Sequence, residues 1–207
     1  MNKTSKEFYT EQGIDWLSDR NSVEQTKKEL SYVTQLLKKN GKVLDLACGY
    51  GRFAIPLASE GFSVEGIDIT PIFIEGAKAK AKNMGLNIEF TVGNMTGLPY
   101  NDNSFDSVIC MWNAFSEIVL EQEQISVILE IYRVLKEDGL AIIEVRNHRS
   151  SGLVEENVID GYEAMPSFNH TRRSLNRLAK LSRLKNYKVF IDEFGGRKRL
   201  IMEFRKF

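Results

Sequence analysis

This 207-residue chain has little of what metal sites, disulfide scaffolds and membrane anchors require: two cysteines, two histidines, four prolines and no long apolar run. Cys48 and Cys110 each fall at the end of a predicted buried strand. Neither has the close-spaced Cys or His company of a zinc site, so both read as core thiols that would be neighbours if their strands are adjacent. His148 and His170 stand at the two ends of one polar stretch. No segment nears the length of about 18 apolar residues that spans a bilayer, and the start Met1-Asn2-Lys3-Thr4-Ser5-Lys6 is polar. The expectation is no membrane association and a cytoplasmic location, where thiols stay reduced.

Net charge is absent as well, with 28 basic and 28 acidic residues, but its distribution is uneven. Residues 171–207 carry 12 Lys or Arg against 3 Asp or Glu, and the preceding 170 residues are acidic by the same margin. A basic end segment can dock nucleic acid or an anionic substrate; it can equally be a solvated face whose positive edge strands repel other sheets. The hydrophobic share of 43% is that of an ordinary globular protein. The length suits one domain and is short for two. We expect a single domain over residues 1–207: a helical cap over 1–41, a ligand-binding core over 42–146, and a final part over 147–207.

The core begins at Val43-Leu44-Asp45-Leu46-Ala47-Cys48-Gly49-Tyr50-Gly51-Arg52. Val43, Leu44 and Leu46 predict a short buried strand, and the glycines after it allow a tight turn and close approach of a ligand. A helix entered near Arg52 turns its free N–H groups toward the same crevice. Gly49-x-Gly51-x-x-Ala54 satisfies the dinucleotide-binding fingerprint, and Asp68 lies near the spacing of the acid that takes ribose hydroxyls. A nicotinamide cofactor is therefore one reading.

Further on, strands are predicted at 63–68, 88–92, 105–111 and 140–145, alternating with helices at 52–60, 71–83 and 121–136. Before them, Ser22 and Gln25 mark a capped helix with Val23, Leu30, Val33, Leu36 and Leu37 as its stripe. Residues 1–20 suggest a short amphipathic element docked on the rest of the chain, with Tyr9 and Trp16 readable as core anchors. The alternation implies an α/β fold, a Rossmann-like doubly wound and mostly parallel sheet with helices on both faces, and ligands at the carboxyl ends of its strands. Residues 184–207 predict a C-terminal antiparallel hairpin turning at Gly195-Gly196.

Asp45-x-Ala47-Cys48-Gly49-x-Gly51, followed by Gly93-Asn94-x-x-x-Leu98-Pro99, a turn, and Phe105-Asp106 leading into an apolar strand, resembles the class I S-adenosylmethionine-dependent methyltransferases. A nicotinamide domain has no counterpart to the second stretch at this spacing. The resemblance covers 43–145 well and 184–207 loosely. It implies S-adenosylmethionine as cofactor, with Asp45 near its amino group, Ala47, Gly49 and Gly51 along its middle, and Asp68 on the ribose. It further implies Ile69 and Met95 about the adenine, Asn94 accepting from the adenine amino group, and Met111 and Trp112 at the reacting methyl. Asn94 departs from the family's aspartate, from which weaker cofactor binding is expected.

Phe115 would wall the site with Trp112, and Asn113 would orient a nucleophile; all three are equally readable as loop residues. No Ser-His-Asp set or metal-ligand cluster is visible, as suits a displacement that needs alignment above all. No catalytic residue is assigned, and His148 is the one candidate base. The expected acceptor is a small molecule. Rivals are an RNA or protein methyltransferase docking through the basic end, a nicotinamide-dependent oxidoreductase, and a non-enzymatic remnant. Relatives of this kind add a helix and two strands after an insertion, so the chain is expected either to substitute its hairpin for them or to leave the fifth strand's edge exposed for a homodimer.

Overall fold

In chain order the elements of the computed structural model are α1 (Ser5–Asp19), α2 (Val23–Leu36), β1 (Lys42–Leu46), α3 (Ala54–Ser59), β2 (Ser63–Asp68), α4 (Pro71–Asn83), β3 (Glu89–Val92), β4 (Phe105–Cys110), α5 (Glu121–Val134) and β5 (Leu135–Arg146). Four three-residue strands follow, β6 (Gly152–Val154), β7 (Asn157–Ile159), β8 (Tyr162–Ala164) and β9 (Ser167–Asn169), then α6 (Arg172–Leu181), β10 (Asn186–Phe194) and β11 (Arg197–Arg205). The structure describes residues 3–155, 157–159 and 161–207.

Seven strands make one sheet in the order β10-β11-β5-β4-β1-β2-β3. The pairs from β3 through β5 are parallel, and β11 runs antiparallel to both β5 and β10. Side chains alternate between two apolar layers, as the pleat requires. Leu44, Leu46, Val108, Cys110 and Ile143 join α5 and α6 on one face, while Val43, Ile109 and Ile142 join α2, α3 and α4 on the other. Each such side chain, nearly free of water, contributes about 1.5–3 kcal/mol. The chain crosses from β3 at one edge back to β4 beside β1, so the order reverses between β1 and β4. That reversal opens a crevice at the strands' carboxyl ends.

The hairpin completes the sheet: Met202 pairs with Ile143 and Leu200 with Val145, so β5 is covered and offers no edge for self-association. Of the two expected outcomes, substitution by the hairpin is the one realised. The edges are β10 and β3. Gly195 and Gly196, both at positive φ, turn the hairpin. α6, which the sequence reading passed over, starts at Thr171, whose side chain caps the Ser174 N–H. The polar stretch between His148 and His170 holds two short ribbons, β6 with β9 and β7 with β8.

Smaller differences have local causes. The helix expected to reach 136 ends at Val134, and β5, expected from 140, begins at Leu135, with an irregularity where two residues of β4 span five of β5 and Asp138 takes a positive φ. Val23 is exposed because it sits at the first turn of α2, beyond the stripe formed by Leu30 and Val33. Leu46, not Cys48, pairs with Cys110, and both cysteines are buried free thiols. The basic C-terminal segment keeps most of its cations exposed, Arg177 paired with Glu121 and Arg205 donating to the Asp138 carbonyl among them, while Arg199 is buried against Glu144 and Lys206, half-buried, donates to the Arg133 carbonyl.

Candidate active site

Asp45 lies between two leucines that face the opposite layer, so its carboxylate turns toward α3 and accepts the Ala54 N–H at 3.0 Å. It is 2% exposed, and burial raises its carboxyl to about 7. The turn after β1 then carries Ala47 and Gly49 through positive φ, a strained setting for alanine and an easy one for glycine. Asp68, at the end of β2, braces this turn from the neighbouring strand. One oxygen accepts the Gly49 N–H and the other the Thr70 N–H, both at 2.9 Å. Burial pushes this carboxyl up too, against the pull of those N–H groups.

A first cavity, about 160 Å³, lies over these strand ends. Ala47, Gly49, Asp68, Ile69, Asn94, Met95, Met111 and Trp112 all line it. Asp45 instead lines a small adjoining recess with Arg52 and Phe53. Gly51 lines neither: a Cβ there would come within 2.8 Å of Ile55 and 3.3 Å of Phe90, so its lack of a side chain serves packing under the turn. Asn94 spends its carbonyl oxygen on the Thr96 N–H at 3.0 Å, which closes the turn after β3.

The loop after β4 is held in an unusual shape. Trp112 and Asn113 both have positive φ, costly for side chains of this size. Five hydrogen bonds compensate. The Trp112 N–H donates to Glu144 Oε2, the Asn113 N–H to the Glu144 carbonyl, and the Ser116 N–H to the Asn113 carbonyl. Asn113 Oδ1 accepts both the Arg146 N–H and the Ser116 hydroxyl. Asn113 is therefore a structural tie of this loop. Phe115 does not wall the cavity; it is fully buried and stacks near His170 at 5.3 Å.

A residue the sequence reading missed closes the first cavity. Glu117 ends a 3₁₀ turn, Ala114–Glu117, and accepts the Tyr9 hydroxyl at 2.7 Å. Burial drives its carboxyl up to about 7, opposed by the Tyr9 hydrogen bond, and burial likewise raises the Tyr9 hydroxyl. The available signal was the one ionisable residue between Met111 and Leu120, after β4. Tyr9, Leu17, Trp112 and Glu117 also line a second cavity of about 470 Å³, so they form the partition between the two. Its other walls include Trp16, Arg20, Arg146, His148, Ile159, Met165, Arg197 and Arg199. Burial and the nearby Arg146 and Arg199 lower His148, while His170, buried beside Phe115 and Phe168, drops to about 4.

Parallel strands, a glycine turn after β1, an acid ending β2 and a cavity across the switch point define a Rossmann-like nucleotide-site protein. Residues 43–139 match the family model described as a methyltransferase domain. An S-adenosylmethionine-dependent methyltransferase from Methanosarcina mazei superposes with TM-score 0.69 and 25% identity, over 84% of this chain and 96% of that one. Residues 43–139 thus form a methyltransferase domain on the Rossmann-like fold of the S-adenosylmethionine-dependent methyltransferases. It is 32% identical to a glycine/sarcosine N-methyltransferase of Parasynechococcus marenigrum, over 65% of this chain and 47% of the relative. It is 30% identical to a ubiquinone biosynthesis O-methyltransferase of Rickettsia conorii, over 75% and 53%. The chain spans about half the length of these curated relatives. No helix among the described residues is long and apolar enough to cross a membrane.

Proposed function

We propose that this chain transfers a methyl group from S-adenosylmethionine to a small-molecule acceptor, the cofactor lying in the first cavity and the acceptor in the second. The observation that carries this reading is the pair of cavities sharing the partition Tyr9, Trp112 and Glu117 at the carboxyl ends of the strands.

The residues fit the cofactor. Asp68 is a buried carboxylate with no cationic partner among the described residues, and vicinal ribose hydroxyls would donate to its remaining lone pairs. Ile69 is 38% exposed against a crevice with Met95 and Asn94 opposite, an apolar face with a polar rim suited to a purine. Ala47 and Gly49 leave room along the turn, and Met111 and Trp112 stand where the partition begins. Asp45 serves at one remove, holding the turn through Ala54 beside the recess. Asn94 offers the purine a carbonyl oxygen already shared with Thr96.

Bound there, the cofactor supplies an electrophilic methyl on a sulfonium, and its departure as a thioether makes alignment the main requirement. Tyr9, Leu17 and Trp112 keep water from the partition. Glu117, whose carboxyl is raised to about 7 and which lines both cavities, takes the proton of an acceptor hydroxyl or amine once ionised; His148, farther along the second wall and lowered by burial and then by two arginines, is the poorer base.

The N- and O-methyltransferase relatives support a small-molecule acceptor. The test is calorimetric titration of the purified chain with S-adenosylhomocysteine and, in parallel, NADH. Micromolar binding of the first alone is expected, and binding of NADH instead would overturn the reading.

A further inference from the structure

Arg20, Arg146, Arg197 and Arg199 line the second cavity, and among the described residues Glu117 is its one acidic lining residue. Arg146 on β5 and Arg199 on β11 are direct cross-strand partners, and Arg197 lies two positions from Arg199 on the same face. Like charges directly opposite on a sheet repel, so such a pair persists where something offsets it. The nearest acid on that face, Glu144, is spent: one oxygen pairs with Arg199 and the other accepts the Trp112 N–H. Among the described residues neither Arg146 nor Arg197 has a carboxylate partner. Arg146 is exposed at the end of β5, and its basicity is lowered first by partial desolvation and then by Arg199 and Arg20. Trp16, Trp112, Val154, Ile159 and Met165 give the rest of this cavity an apolar and aromatic lining.

We propose that the second cavity binds an organic anion, a carboxylate or phosphate group on an apolar or aromatic body, with the Arg146 and Arg197 guanidiniums as its anchor. A planar fork of N–H donors fits either oxyanion, and the aromatic walls take the body. On the methyltransferase reading above, this is the acceptor: its anion fixes one end on β5 and β11, and its nucleophile reaches the partition. There the nucleophile's proton passes to Glu117, the new bond forms from nucleophile to methyl, and the carbon–sulfur bond breaks with its electron pair on sulfur.

The probes are benzoate against benzamide and phenyl phosphate against phenol, titrated into the full chain and followed by NMR, with S-adenosylhomocysteine titrated separately. One or both anions should bind at least about tenfold more tightly than the neutral counterpart. Arg146→Gln should remove that preference, Arg146→Lys should restore part of it, and S-adenosylhomocysteine affinity should stay within about twofold in both. Which anion wins separates a carboxylate from a phosphate acceptor. Equal binding within both pairs, no binding of either anion, or an unchanged preference in Arg146→Gln overturns the proposal. Anion preference without any S-adenosylhomocysteine binding upholds the anion site and overturns the cofactor assignment instead.

Discussion

Replacing Glu117 by glutamine keeps the shape of the partition and a hydrogen-bond partner for Tyr9 while removing a carboxylate that burial holds at about 7. As the base, wild-type Glu117 makes kcat/KM rise through about pH 7 and level off above it. The variant should lose that rise and about 10²–10⁴-fold in rate, the usual contribution of a positioned base. A second readout separates this role from a structural one. Glutamate ordinarily titrates at 4.5, so the fold favours the protonated form. Its stabilising share is complete below that value and is lost as pH rises through about 7. At about 1.4 kcal/mol per pH unit, the wild type should lose about 2–3 kcal/mol relative to the variant between about pH 5 and pH 8. This is an upper figure, because water in the cavities screens the charge. Urea unfolding at the two pH values measures it, with the Asp45 contribution cancelling between the proteins. An unchanged pH–rate profile in Glu117→Gln refutes the base assignment; equal pH dependence of stability refutes the buried carboxyl.

Two more outcomes follow from the geometry. Asn94→Asp keeps an acceptor for the Thr96 N–H and adds a negative charge at the cavity rim, so S-adenosylhomocysteine should bind several-fold more tightly by calorimetry. Equal or weaker binding removes Asn94 from the adenine role. Arg52 is buried against Glu29, whose other contact is Gln25, so Arg52→Met strands a carboxylate that is 2% exposed. A loss of about 3–5 kcal/mol in urea unfolding is expected, and its rescue by adding Glu29→Gln would show that the stranded charge is the cause.

Strand periodicity, the glycine turn and the acid at the end of β2 were local signals, and they placed β1 through β4 and α3 through α5 to within a few residues. Each rests on a run of neighbours whose side-chain spacing already declares its buried face. Eight of the ten expected cofactor residues line one cavity for the same reason: strand ends and the residues after them must meet at the switch point. The exceptions are instructive. Gly51 fits the motif, yet its missing side chain makes room for Ile55 and Phe90. Glu117 lies in no motif, and only the packing of α1 across the crevice brings Tyr9 to it, 108 positions away in sequence.

The amino-acid sequence by itself determined the fold class, the methyltransferase domain and most residues lining the crevice at the switch point, because those are written in short spacings that survive without knowledge of distant contacts. Only the tertiary structure decided that β11 seals the edge of β5, that Arg146 and Arg199 become neighbours, and that Arg199 is buried against Glu144 while most cations of the basic C-terminal segment stay at the surface. Antiparallel pairing between residues some 60 positions apart sets that register, and local sequence does not carry it.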